Sequence, residues 1–314
     1  MSFIKAEYMI RLGFQSAILG DLSFDEVITF ASGNGFSCVE LMCWPVGKAN
    51  RKYAGVTHID VTSLENSEII RIKNKLKEKN VSISGLGYYP NPLDPDREKS
   101  DFYIDHIKKV IEAAARLDIG IMNTFIGADP SKHNDDNFEK FREVWPPIVR
   151  YAEEKNVKIG IENCPMFFTR DEWPSGNNLA HSPALWRKIF ETIPSRNFGL
   201  NYDPSHLVWQ MMDYVRPIYE FRERIFHVHI KDARILWERI NDVGILTTPL
   251  QLHTPKLPGL GDINWGKFFS ALYEVGYNGS ACIEVEDKAF EGSLENRKTA
   301  ILQSRNFLRQ FITE

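Results

Sequence analysis

Short runs of apolar, often β-branched residues alternate along the chain with longer segments of helical periodicity. This alternation is typical of repeated strand–helix units around a parallel sheet. The strands are predicted at residues 9–14, 37–41, 81–86, 119–126, 157–162, 197–203, 225–231 and 280–286. Eight such units in 314 residues predict an α/β fold in which residues 1–314 form a single-domain (β/α)8 TIM barrel.

The predicted helices between these strands carry their own signals. Ser23 is a typical N-cap of the first helix, and Gly33 and Gly35 are predicted to lie beyond its last turn. In the third helix, apolar residues recur at three- and four-residue steps, so that one face can pack against the sheet. The residues of that face are Ile104, Ile107, Val110, Ile111, Ala114 and Leu117.

One long stretch, residues 232–279, interrupts the alternation after the seventh strand. It contains Pro249, Pro255 and the turn-forming sequence PGLGD at 258–262. Loops that follow barrel strands lie at the C-terminal face, where barrel active sites are built. We expect the long loop region 232–279 to cover the active site, and a surface excursion without function is the alternative.

Four predicted strands end in a polar side chain of the parity that faces the barrel interior. Within KIGIEN, Glu162 points inward because Ile159 and Ile161, on the other parity, can pack against helices. The same alternation in FGLNYDPSH, IFHVHIKD and SACIEVED turns three more polar side chains inward. The four inward residues are Glu162, Asp203, His229 and Glu284. Functional groups of such barrels gather at the C-terminal strand ends, so we expect these side chains to meet.

This set of two Glu, one Asp and one His offers mainly carboxylate oxygen, which suits Mn²⁺, Mg²⁺ or Co²⁺ better than a structural zinc. Taken singly, a strand-end carboxylate is more often a capped or salt-bridged group than a metal ligand. Together they would repel one another, and a dication is the simplest way to keep them ionised at neutral pH. The sequence therefore predicts one divalent metal, Mn²⁺ in the first place, with Mg²⁺, Co²⁺ or Zn²⁺ as alternatives.

Four further side chains are candidates for substrate binding. His206, three residues after Asp203, could donate a hydrogen bond to a substrate oxygen or cap the next helix. Lys231 and Arg234 could hold a hydroxyl group or a developing oxyanion, or could pair with neighbouring carboxylates. Trp44 could form a wall of the pocket, although aromatic residues in barrel loops usually only pack.

Other polar and aromatic positions are less specific. His227 is predicted to be a hydrogen-bonded core residue one layer below His229. Tyr88 and Phe125 could join the pocket wall. The glycine-rich turn at 258–262 could cradle an anion at the following helix N-terminus, through Gly261 and Asp262, but a helix N-cap explains these residues equally well.

Composition and charge exclude several classes of partner. The chain is 43% hydrophobic, 25% charged and carries a net charge of −4, and it has no dense run of Lys and Arg that could follow a phosphate backbone. We therefore expect no nucleic-acid partner. No signal peptide or membrane span is predicted. The cysteines, four in number, form no closely spaced metal motif and favour a reducing, cytoplasmic location. A homo-oligomer is compatible with the sequence but not required by it.

At these motifs the sequence resembles the xylose-isomerase-like barrel superfamily, in particular its sugar phosphate isomerase/epimerase branch. The resemblance covers nearly the whole chain and is most specific at GIEN (160–163), D-x-x-H (Asp203 and His206), HVHIKD (227–232), PGLGDINW (258–265) and IEVE (283–286). It implies that Glu162, Asp203, His229 and Glu284 bind the metal and that the two Glu residues also transfer protons. It further implies that His206 contacts the substrate.

Two differences in sequence distinguish the chain from particular members of this superfamily. The HIKD sequence of the seventh strand differs from the ketose 3-epimerases, which resemble the chain otherwise, and looks closer to inosose dehydratases. DNA-repair endonuclease IV shares the barrel but uses a His-rich cluster of three zinc ions. The eight scattered His residues of this chain do not readily supply such a cluster.

Three functions remain open on the sequence. The leading hypothesis is an isomerase or epimerase of a ketose or keto-sugar, which transfers a proton through a cis-enediolate with the help of the metal. The alternative is a lyase like inosose dehydratase, in which the same enolate loses a β-hydroxyl group as water. The third is a catalytically silent sugar-binding barrel. For the enzymes, the expected partner is a small sugar or cyclitol.

Overall fold

The structure, a computed structural model, describes residues 9–47, 53–167 and 176–312. Its strands are β1 (Arg11–Gln15), β2 (Cys38–Met42), β3 (Ser82–Gly87), β4 (Ile121–Thr124), β5 (Lys158–Glu162), β6 (Phe198–Tyr202), β7 (Ile225–Ile230), β8 (Asp232–Ile235), β9 (His253–Lys256) and β10 (Ser280–Ile283). All except β8 and β9 pair in parallel and form a closed barrel, in which β10 lies between β7 and β1. The predicted fold, a single (β/α)8 TIM barrel, is confirmed.

Helices follow the barrel strands. They are α1 (Phe24–Gly33), α2 (Asn66–Lys79), α3 (Arg97–Arg116), α4 (Asn134–Glu154), α5 (Pro183–Thr192), α6 (Ser205–Val208), α7 (Arg216–Glu220), α8 (Trp237–Val243), α9 (Trp265–Glu274) and α10 (Leu294–Leu308). Ser23 caps α1 as predicted, in a capping box with Glu26. The end of α1 differs slightly from the prediction, because Gly33 is its last residue and Asn34 is the C-cap.

The main hydrophobic core lies between the strands and the surrounding helices. Ile159 and Ile161 of β5 are buried there, as their parity predicted. On α3, Ile107, Val110 and Ile111 are fully buried against the sheet. The local periodicities of two in strands and 3.6 in helices therefore assign the apolar faces correctly.

The barrel interior near the C-terminal strand ends is polar instead of apolar. Buried polar side chains there include Glu40, Ser84, Asn123, Asn201, His227 and His229. TIM barrels are usually filled by layers of branched apolar side chains. A polar interior is costly unless its groups find partners, so these partners determine what the region can do.

The stretch 232–279 is structured rather than an extended loop. β8 and β9 form an antiparallel hairpin, α8 connects them, and α9 is the helix that precedes the last barrel strand. The hairpin lies next to α6 at the C-terminal face of the barrel.

Candidate metal centre

The four inward side chains at the strand ends come together in the structure. Glu162 is the last residue of β5, Asp203 follows β6, His229 belongs to β7 and Glu284 follows β10. Each offers a ligand atom, and these atoms all lie within 4.8 Å of one another. All four residues are buried, with Glu284 the most accessible at 9% exposure. The structure therefore brings the four side chains of inward parity together.

His229 lies between two layers of this interior. Its Nδ1 faces the strand-end carboxylates, 3.4 Å from Glu284 Oε2 and 3.7 Å from Glu162 Oε2. Its Nε2 faces the opposite way, 2.6 Å from Glu40 Oε2. Burial alone would lower the pKa of His229, but the Glu40, Glu284 and Glu162 carboxylates outweigh burial and raise the pKa well above its usual value.

Three buried atoms of this region make no hydrogen bond within the described residues. They are Asp203 Oδ2, His206 Nε2 and His229 Nδ1. Buried polar atoms are normally satisfied, and convergent exceptions indicate a missing partner. An oxygen-rich set with one imidazole nitrogen fits a hard or borderline divalent ion. The residues present therefore fit the predicted metal, and the cluster of Glu162, Asp203, His229 and Glu284 can hold one.

Lys231 is the principal cation of the cluster. Its Nζ lies 2.8 Å from Glu284 Oε2, 3.1 Å from Glu286 Oε2 and 3.2 Å from Asp203 Oδ2. Burial opposes ionisation of Asp203, but Lys231 and His206 outweigh it and lower the pKa of Asp203 to about 2. The pairing with neighbouring carboxylates that the sequence left open for Lys231 thus includes Glu286, whereas the adjacent Asp232 has other partners.

His206 belongs to α6 and also faces the centre. Its Nε2 lies 3.2 Å from Asp203 Oδ2 and 3.4 Å from Glu162 Oε1, while its Nδ1 accepts a hydrogen bond from Trp209 Nε1. His206 does not cap α6, because Pro204 is the N-cap of that helix. The Cys164 thiol lies nearby, within 4.8 Å of ligand atoms of Glu162 and His206.

A cavity of about 780 Å³ opens above these groups. Its lining includes polar Glu162, His206, Lys231, Glu284 and Glu286, and apolar Met42, Trp44, Phe125, Met166 and Trp209. Trp44 and Phe125 thus line the cavity, where a pocket wall was predicted. Tyr88 instead packs edge-to-face against Trp44, with ring centroids 4.9 Å apart. Arg234 is exposed on β8 and is absent from the lining within the described part of the chain.

The glycine-rich turn at 258–262 is occupied by a carboxylate of the chain itself. Asp232 accepts hydrogen bonds from Gly259 N, Ile263 N and Trp265 Nε1. A Cβ at Gly261 would lie 2.2 Å from Asp232 Oδ1, so this approach requires glycine. The expected anion cradle at Gly261 and Asp262 therefore holds Asp232.

Neither alternative for Asp262 is realised as predicted. Asn264, not Asp262, is the N-cap of α9 and accepts a hydrogen bond from Lys267 N. Asp262 instead accepts one from Ile235 N, which ties the turn to β8.

Sequence reasoning missed Glu40. This residue is fully buried in β2 and shares inward parity with Cys38 and Met42. The available signal was a single carboxylate in the otherwise apolar strand CVELM, where an unpaired charge is too costly to bury. The prediction for His227 is confirmed, because its Nδ1 pairs with Asn201 Oδ1 and its Nε2 with Ser84 Oγ.

Fold and site together define a TIM barrel with an acidic, metal-compatible centre at its C-terminal face. The sequence profile of the family described as "Xylose isomerase-like TIM barrel" matches residues 28–311. The chain therefore belongs to the xylose isomerase-like TIM barrel family.

Two curated relatives illustrate the range of sequence similarity. A Bacillus subtilis protein named YfiH is 26% identical, over 88% of this chain and 93% of its own length. An inosose dehydratase of Geobacillus thermodenitrificans is 23% identical, over 60% of this chain and 74% of its own.

Solved structures of low sequence identity share the fold. A structure described as the IOLI protein with a binding zinc atom superposes with a TM-score of 0.72 at 15% identity, covering 97% of this chain and 100% of the other. A D-tagatose 3-epimerase-like protein gives 0.68 at 19% identity, covering 96% and 97%. At these identities the likeness shows the fold alone. The described part of the chain contains no helix long and apolar enough to cross a membrane.

Proposed function

We propose that the protein is a divalent-metal-dependent isomerase or epimerase of a ketose or keto-sugar. The observation that carries the proposal is the convergence of Glu162, Asp203, His229 and Glu284 beneath a cavity that Glu162 and Glu284 line. Within the described residues, Asp203 Oδ2 and His229 Nδ1 make no hydrogen bond. Among the possible ions, Mn²⁺ suits this oxygen-rich set best. We further propose that the hairpin covers the site, because His253, Thr254 and Pro255 line the cavity.

The proposed chemistry is proton transfer at a carbon next to a carbonyl group. A divalent ion in this centre would act as a Lewis acid that stabilises negative charge on the substrate oxygens. Glu162 and Glu284 are the candidates for removing and returning the proton, because both carboxylates line the cavity and come from strands on different sides of β7. A cis-enediolate would be the intermediate.

Other groups of the chain would position the substrate. His206 lines the cavity, and its Nε2, which makes no hydrogen bond to any described residue, can bind a hydroxyl or carbonyl oxygen. Lys231 Nζ lies among three carboxylates and can donate to a second oxygen. Trp44 offers an apolar surface to the carbon skeleton of the sugar.

The proposed substrate is uncharged. A phosphate group usually binds free backbone N–H groups at a glycine-rich turn or helix N-terminus. In this protein, Asp232 occupies the N–H groups of Gly259 and Ile263. Three acidic residues, Glu286, Asp287 and Glu291, also follow β10, where barrels frequently bind phosphate.

The second candidate is a lyase like inosose dehydratase. Lys231 favours it, because an ammonium group 2.8 Å from the proposed base Glu284 can protonate a leaving hydroxyl group. In that reaction the same carboxylate removes the α-proton, the C–O bond at the β-carbon breaks, and the hydroxyl group leaves as water with a proton from Lys231 or His206. The sequence similarity to an inosose dehydratase supports this candidate as well.

One experiment separates these functions. The Mn²⁺-loaded protein is incubated in D₂O with a panel of free ketoses, keto-glycosides and inososes, and the products are followed by NMR. Deuterium at the α-carbon with a changed configuration or carbonyl position supports the isomerase, whereas release of water supports the lyase. Full binding of a substrate without deuterium incorporation would instead identify a silent sugar-binding barrel.

A further inference from the structure

Glu40 is a buried carboxylate that the proposed proton transfer does not use. It lies in β2 with 0% exposure, below the cavity. Burying a charge is costly unless it is paired and hydrogen-bonded. Tyr89 Oη and Asn123 Nδ2 donate hydrogen bonds to Oε1, and His229 Nε2 lies 2.6 Å from Oε2.

The barrel makes room for this carboxylate. A Cβ at Gly87, on the adjacent strand β3, would lie 2.9 Å from Glu40 Oε1 and 2.3 Å from Met42 Cε. Glycine at this inward position therefore leaves the space that the carboxylate needs. Two neighbouring strands therefore place the carboxylate: β2 carries Glu40, and β3 leaves space for it at Gly87.

The contact with Glu40 determines which nitrogen of the His229 ring carries the proton. A carboxylate can only accept, so Nε2 must carry the proton in a bond of 2.6 Å. The amide of Asn201 lies 3.0 Å from the same nitrogen but can donate to Tyr89 Oη, 3.2 Å away. In the neutral ring, the lone pair then belongs to Nδ1, the atom that faces Glu162 and Glu284.

We infer that Glu40 is a positioning residue for the metal centre, which fixes His229 with its Nδ1 lone pair toward the ion. The inference rests on the proposed function. A carboxylate on the far nitrogen of a ligating His fixes both the tautomer and the ring orientation, and it makes the ligand more basic. Loss of such a partner typically reduces metal affinity by roughly 10–100-fold.

The test is the Mn²⁺ affinity of variants, measured from the EPR signal of free Mn²⁺. Glu40→Gln keeps the shape but removes the charge, and we expect roughly 10–100-fold weaker binding. Glu40→Asp keeps the charge, but the shorter side chain places the carboxylate farther from the His229 ring, so this variant should also bind Mn²⁺ more weakly. Glu286→Gln is the matched control, because it removes a carboxylate that contacts Lys231 without touching His229. It should lose clearly less affinity than either Glu40 variant.

A second readout follows the ring directly. In the Zn²⁺-loaded, ¹⁵N-His-labelled protein, the Nε2 proton of His229 should resonate far downfield and move upfield in Glu40→Gln. Equal affinities of Glu40→Gln, Glu40→Asp and wild type would overturn the inference while leaving the metal centre intact. Wild-type protein that binds no Mn²⁺ would overturn the proposed function together with the inference. If Glu40→Gln does not fold, Glu40→Asp decides the question by the same measurements.

Discussion

Two polar regions lie one above the other inside the barrel, and they differ in how their groups are satisfied. In the lower region, which we call the floor layer (Glu40, Ser84, Asn201 and His227), the protein itself supplies the hydrogen-bond partners. In the upper region, the rim cluster (Glu162, Asp203, His206 and Glu284), Asp203 Oδ2 and His206 Nε2 make no hydrogen bond within the part of the chain that the structure describes, and their charged contacts are to one another, to Glu162 and to Lys231. The boundary passes through His229, which has Nε2 in one region and Nδ1 facing the other.

This difference distinguishes polar groups that stabilise the fold from polar groups that can bind a ligand. A fully satisfied network specifies the arrangement of the barrel interior, since each group would be costly without its partner. Convergent unsatisfied groups instead identify a place for a ligand. Burial alone cannot make this distinction, because Asn201 of the floor layer and Asp203 of the rim cluster both have 0% exposure.

The largest expected effect is loss of the metal on removing a rim-facing ligand. Wild-type protein should contain about one divalent ion per chain, and His229→Ala or Asp203→Asn should lose most of it because a four-ligand set loses a member. Elemental analysis of the purified, folded proteins measures this. His227→Ala is the control from the floor layer and should keep its ion. Equal loss in His227→Ala and His229→Ala would break the comparison.

The next effect concerns catalysis. Glu284→Gln should lower kcat by about 10²–10⁴-fold while keeping part of the metal, because an amide oxygen can still coordinate but an amide cannot accept the proton. Steady-state kinetics on the true substrate measure kcat, and metal analysis accompanies them. The exposed Glu295→Gln should leave kcat unchanged. Near-wild-type turnover in Glu284→Gln would assign this residue a structural role.

Substitutions in the floor layer should reduce the stability of the fold more than substitutions in the rim cluster. Asn201→Leu in the floor layer leaves His227 Nδ1 without its partner, and we expect the free energy of unfolding to fall by about 1–3 kcal/mol. Urea denaturation in the presence of a chelator measures this without a metal contribution. The exposed Asn134→Leu should change stability by less than about 0.5 kcal/mol. Under the same conditions Glu284→Gln should lower the free energy of unfolding by less than Asn201→Leu does, because Lys231 retains its ion pairs with Asp203 and Glu286. The reverse order would contradict the division into two regions.

The smallest expected effect is discrimination against phosphate. For matched free and phosphorylated ketoses, kcat/KM should favour the free sugar, because Asp232 fills the glycine-rich turn and the loop after β10 is acidic. Competition assays with the two sugars measure the ratio. A preference for the phosphorylated sugar of tenfold, about 1.4 kcal/mol, would show that Lys231 or another cation binds phosphate at the rim.

The sequence by itself determined the barrel and which four strand-end side chains come together, namely Glu162, Asp203, His229 and Glu284. Strand periodicity is local, so the parity of Glu162 and His229 could be determined within single strands. In parallel strands that close into a barrel, side chains of the same parity at the C-terminal ends must approach one another. Only the arrangement of the strands around the barrel had to be inferred, and the fold class supplied that arrangement.

Tertiary structure alone decided which groups satisfy one another. Glu40 and His229 are separated by 189 positions and lie on strands that are not neighbours in the barrel. Asp232 fills the turn at Gly259 and Gly261, where the sequence left open an anion cradle or a helix N-cap formed by Gly261 and Asp262. Periodicity specifies the side of a strand that a residue faces, but the identity of its partner depends on strand order, barrel closure and side-chain reach. A buried carboxylate such as Glu40 can therefore be noticed in the sequence, whereas its contact with a metal-binding histidine exists only in the folded chain.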